Sequence, residues 1–100
     1  MKIPRLKTNP AAGLVADALE YEGIKPAQAA RDMGIPRSRL SDIFSGRKGV
    51  SADTALRVER YLGISSMMLM RLQSDFDLSR AVAEKGEQIE KSVHRHLAEA

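Results

Sequence analysis

Ala30 and Gly34, four residues apart and followed by Leu40, Ile43 and Phe44 and then Gly46, constrain this chain more than any other feature of it. Two short helices can pack closely only where the side chains between them are small, and Ala30 brings almost none. Gly34 can take the positive φ that a three- or four-residue connection often requires, at no Cβ cost. Leu40 and Ile43 are three apart and Phe44 is four from Leu40. They therefore share one stripe of the second helix and face its partner, with Met33 completing the contact. The opposite face carries Ser38, Ser41, Asp42 and Ser45, with Arg37 and Arg39 near its start. Together these features describe a helix-turn-helix, and they make DNA the leading partner.

The charge distribution agrees. The formal net charge is only +3, but Lys25, Arg31, Arg37, Arg39, Arg47 and Lys48 lie in or beside the motif against Asp32 and Asp42 alone. Lys2, Arg5 and Lys7 add a flexible basic arm over residues 1–8, whereas acids and bases roughly offset one another in the tail. A merely solvated helix face does not require a basic footprint centred on the motif.

Asn9-Pro10 reads as a helix start, with Asn as cap and Pro in the first turn, where its missing N–H costs nothing. Leu14, Val15, Ala18 and Leu19 then form a buried stripe that Gly23 ends. Pro26 opens a short helix to Met33, and Pro36 opens the presumed recognition helix, which runs to about Ser45. Ser51 and Asp53 start a fourth helix that Gly63 stops, and Ser65 or Ser66 caps a fifth. Gly86 is expected to break that helix, leaving Ile89, Val93 and Leu97 in a short last one. The expected fold is an all-α, five-helix bundle with a helix-turn-helix plus a short C-terminal helix. One domain spans 9–81, and residues 82–100 form a helical extension and possible dimer element.

If the second helix of the motif enters the major groove, the base-reading candidates are Arg37, Ser38, Arg39, Ser41 and Asp42. Arg37 or Arg39 suits a guanine edge, and Asp42 either accepts from cytosine or orients a nearby arginine. Lys25, Gln28, Arg47, Lys48 and Ser51 are the phosphate candidates. Met67, Met70, Phe76 and Leu78 exceed what one helix of a small bundle buries and are the expected dimer surface. A twofold dimer implies an inverted-repeat operator.

Other classes find little support. His94 and His96, two apart in a helical segment, face different ways, and no catalytic motif accompanies them, so an enzyme is not expected. Neither metal nor cofactor is expected. With no cysteine there are no disulfides or thiolate metal sites. No run of eighteen apolar residues marks a membrane span, and the basic start lacks the apolar stretch of a secretory leader, which points to the cytoplasm.

The segment Ile24 to Gly46 resembles the Xre, or phage Cro/lambda-repressor-like, family. Three further pieces narrow the match: Asn9-Pro10, the run from Gly46 to Arg57, and Leu72-Gln73-Ser74-Asp75-Phe76-Asp77-Leu78. With these, residues 9 to 81 look like the HigA-type antitoxins, or VapI group. Most of that group carry His-Pro-Gly-Glu where this chain has Asn9-Pro10-Ala11-Ala12, and Phe-Trp where Met68-Leu69 stands. The resemblance implies an antitoxin that silences a HigB-type ribonuclease toxin of the RelE group and represses its own operon as a dimer. The alternatives are a stand-alone Xre-type repressor without a toxin, and a protein-interaction module that only occludes its partner.

Overall fold

A computed structural model of the chain describes residues 2–97. Five helices follow one another: α1 Pro10–Glu22, α2 Pro26–Met33, α3 Arg37–Phe44, α4 Ala52–Leu62 and α5 Ser66–Ser92, with no strand among the described residues.

Local chemistry sets the boundaries. The Asn9 side chain accepts the Ala11 N–H at 2.9 Å, and Pro10 occupies the first turn of α1. Ser51 and Ser65 cap α4 and α5 by accepting the amides of Thr54 and Met68, each at 3.2 Å. Lys25 gives α2 no side-chain cap. Pro36 stands one position earlier than expected: its ψ of 142° is extended, so it precedes the helix that Arg37 begins. Gly34 ends α2 at φ 70°, and the following amide of Ile35 returns to the Ala30 carbonyl at 3.0 Å.

The motif helices bury the stripes that their periodicity marked. Ala29, Ala30 and Met33 of α2 meet Leu40 and Ile43 of α3, while Val15 and Leu19 of α1, Val58 of α4 and Leu69 of α5 close the same core. Leu40 is 1% exposed and Leu69 fully buried, and Phe44 is half-buried at the edge. Burying a leucine of this kind is worth about 1.5–3 kcal/mol, which makes these two residues principal anchors of the bundle.

The expectation for the C-terminal part is corrected in one respect. α5 passes through Gly86 without a break and continues to Ser92, so there is no separate sixth helix among the described residues. A glycine inside a helix costs only about 1 kcal/mol relative to alanine. The flanking Ala83, Glu84, Lys85, Glu87 and Gln88 favour helix, and the Glu87–Lys91 pair at 3.1 Å bridges one turn beyond it. Ile89 therefore belongs to α5, Val93 is its C-terminal cap, and Leu97 lies outside any helix. Residues 98–100 of the expected extension lie outside the described residues. At 27 residues α5 is about 40 Å long, which accounts for most of the 59 Å length of the molecule.

The basic arm is attached to this helix. The Leu6 amide donates to the Ser79 hydroxyl at 2.6 Å, and Ser79 is 1% exposed. Among the described residues, no helix is long and apolar enough to cross a membrane.

Candidate nucleic-acid interface

α3 presents Arg37, Ser38, Arg39 and Ser41 to solvent, because Leu40 and Ile43 hold its other side in the core. Between α3 and the first turn of α4 runs an open groove of about 660 Å³, lined among others by Ser38, Arg39, Asp42, Lys48, Ser51 and Asp53. Three base-reading candidates and two phosphate candidates thus share one concavity. Gln28 and Arg47 are exposed but do not line it. Lys25 borders a different, apolar hollow beside Leu19, Ile24 and Phe44.

The cations along this surface differ in how they are held. The Arg37 side chain has no ion-pair or hydrogen-bond partner among the described residues. Asp42 accepts from Arg47 Nε at 2.8 Å and faces Lys48 Nζ at 4.0 Å. Of the two roles open to Asp42 from sequence, this geometry matches the orienting one. The Asp42 carbonyl also accepts the Lys48 amide at 3.1 Å and the Ser45 hydroxyl at 3.2 Å, so the basic loop folds back onto α3.

Arg39 approaches Asp53 Oδ2 at 3.5 Å, and the same oxygen accepts from Arg57 Nε at 2.9 Å. Arg57 in turn donates from Nη1 to the Met33 carbonyl at 2.8 Å. It lies over the turn, where a Cβ at position 34 would come within 3.2 Å of Nη1. Gly34 thus serves both a left-handed backbone and a close approach.

Sequence reasoning missed the support beneath the loop. Gln73 of α5 is 6% exposed, and its Oε1 accepts both Asn9 Nδ2 and the Val50 amide at 2.7 Å. Its Nε2 donates to Asp77 Oδ1 at 3.0 Å. A side chain on Gly49 would collide with this amide, the nearest approach being 2.5 Å. One glutamine therefore ties α5 to the cap of α1 and to the end of the loop carrying Arg47 and Lys48. The available signal was Gln73 itself, a polar residue inside the Leu72–Leu78 segment.

The four dimer candidates separate. Met67 and Leu78, eleven residues and close to three full turns apart, share an exposed stripe at 83% and 54% exposure. Met70 packs against the core, and Phe76 is half-buried beside Asn9 and Gly13, with the Arg80 guanidinium 5.3 Å from its ring centre. His94 and His96 are exposed, and no group of three or more His, Cys, Asp or Glu among the described residues could hold a metal ion.

Comparison with known proteins gives a consistent picture. A family model described as Helix-turn-helix matches residues 15–67. Virulence-associated protein I of Dichelobacter nodosus is 33% identical over 90 residues, covering 85% of this chain and 83% of that protein. Among solved structures, the Pseudomonas aeruginosa antitoxin HigA with the higBA promoter is 32% identical. It superposes with a TM-score of 0.80 over 96% of this chain and 100% of that one. The antitoxin GraA in complex with its operator is 28% identical, with a TM-score of 0.82 over 98% and 100% of the two chains.

Proposed function

The chain belongs to the helix-turn-helix family as an Xre-type domain of the HigA group, and we propose that it is a DNA-binding antitoxin that represses its own operon and silences a RelE/HigB-type ribonuclease. The observation that carries the DNA half is the groove uniting Ser38, Arg39 and Asp42 of α3 with Lys48 and Ser51. The similar HigA structure with the higBA promoter and the similar GraA structure in complex with its operator support the same half.

In this reading α3 lies in the major groove. Arg37, unencumbered, and Arg39 take guanine O6 and N7, while Ser38 and Ser41 contact neighbouring base edges. Asp42 holds Arg47 and Lys48 against α3, where they meet phosphates with Ser51, Gln28 and Lys25. Two copies related by a twofold axis set two α3 helices about 34 Å apart on an inverted repeat. The exposed Met67 and Leu78 stripe of α5 is the surface on which the copies meet, with Met70 and Phe76 supporting it from the domain side.

The test is a titration of the purified protein against a labelled duplex from upstream of its own gene, across a range of salt. Neutralising about six phosphates per dimer gives a slope of log affinity against log salt near −5. Binding no tighter than to random duplex overturns the DNA reading. Co-expression with the product of the adjacent gene tests the other half: restored growth supports neutralisation, and unrelieved toxicity refutes it.

A further inference from the structure

Resting on the reading of α3 as the DNA-reading helix, we propose that Asp53, a residue of α4, determines specificity by acting through Arg39. Its position in the first turn of α4 already has a local explanation, since a carboxylate there complements the helix dipole. The structure adds a second. Asp53 Oδ2 is held at 2.9 Å by Arg57 Nε, and Arg57 is itself fixed on the Met33 carbonyl at the helix-turn-helix turn. The carboxylate is thus the end of a relay anchored in the motif, and it meets Arg39 Nη1 at 3.5 Å on the wall of the groove.

A guanidinium has five N–H donors, and Asp53 engages only one edge of it. The remaining donors can reach the O6 and N7 of a guanine, which carries no net charge, with Asp53 still in place. A phosphate brought to the same guanidinium is an anion set against the Asp53 carboxylate, and the two repel. Asp53 therefore lowers the value of Arg39 as a phosphate ligand while leaving its value as a base reader. Asp42 tempers Arg47 and Lys48 in the same way, but their side chains are 66% and 71% exposed against 43% for Arg39 and keep donors free for phosphate. Arg37 lacks this restraint. Asp53 is in this sense a positioning residue, and its effect is on the ratio of specific to random binding.

The experiment compares the wild type with Asp53→Asn on two duplexes of equal length, one from upstream of the gene and one of random sequence. Asparagine keeps a side-chain carbonyl for Arg57 and removes the charge. The expected result is random-duplex affinity raised about threefold, the scale of one exposed ion pair, with little change on the upstream duplex. The random-duplex salt slope should steepen by about 0.9, the share of one further phosphate contact. Glu84→Gln, a charge change on exposed α5 surface far along the chain, should raise both affinities in parallel. In an Arg39→Gln background, Asp53→Asn should leave the ratio unchanged. Parallel rises for Asp53→Asn, or an undiminished loss of ratio without Arg39, overturn the proposal. Should Asp53→Asn fail to fold, Asp53→Ser, which also suits a first helical turn, carries the same comparison. A wild type that does not distinguish the two duplexes refutes the DNA reading itself, an outcome separate from these.

Discussion

The helix-turn-helix and the far half of α5 are both amphipathic, yet only the first has its apolar face covered. Leu40 and Ile43 are 1% and 2% exposed, while Leu78 at the midpoint of α5, Ile89 near its end and Val93 at its C-terminal cap stand at 54%, 36% and 64%. The difference is one of partners. α3 has α2 and α1 against it, whereas the distal turns of α5 extend beyond the bundle that its proximal turns help to close. A helical period shows that a face needs covering, and only the tertiary arrangement shows whether the chain covers it itself.

The largest expected effect breaks the covered side. Leu40→Ala should lower the unfolding free energy by about 2–5 kcal/mol, read from urea melts, because the cavity opens where α2 and α3 meet. Gln73→Leu comes next. It leaves the Val50 amide and Asn9 Nδ2 without their acceptor, at about 1–3 kcal/mol for each buried donor. Operator binding by the folded fraction should weaken as well, since the loop bearing Arg47 and Lys48 loses its anchor. If Gln73→Leu weakens neither stability nor binding, α5 does not hold that loop.

On the uncovered side, Leu78→Ser combined with Ile89→Ser should change the stability of the isolated chain by less than about 0.5 kcal/mol, as for surface positions generally. It should nevertheless shift sedimentation from dimer toward monomer and reduce operator affinity. An unchanged sedimentation coefficient would place the dimer contact elsewhere. The smallest effect concerns Tyr61, whose hydroxyl donates to Asp32 Oδ2 at 2.6 Å. That hydrogen bond, then partial burial, then the negative charge of Asp32 raise the phenol above its ordinary value of 10.0. A raised folded pKa means that the stabilisation is complete below about pH 10 and is lost as pH climbs through the folded value. In a Tyr21→Phe background, tyrosinate absorbance should titrate earlier for Asp32→Asn than for its parent.

These contrasts also explain what could be read without coordinates. Asn9-Pro10, Gly23, Gly34, Ser51 and Gly63 act within a few residues of themselves, so caps and turns were legible. The covered stripe of α3 was legible because its partner lies one short turn away. Gly86 misled because helix continuity depends on its flanks more than on a single residue. Gln73 could not be assigned its role because its partners lie 64 and 23 residues away. Asp53 was hidden for another reason: the helix dipole already accounted for it, and its contacts with Arg39 and Arg57 appear only once α3 and α4 are side by side.

The central claim is that the exposed face of α3 reads DNA, and the affinities of Arg37→Ala for the upstream duplex and for a random duplex test it most directly. The account predicts a loss of about 1–3 kcal/mol on the upstream duplex, the value of one bidentate base contact, and a much smaller loss on the random one. Equal losses on both would make Arg37 a phosphate contact, and no loss on either would contradict the assignment of α3 as the reading helix.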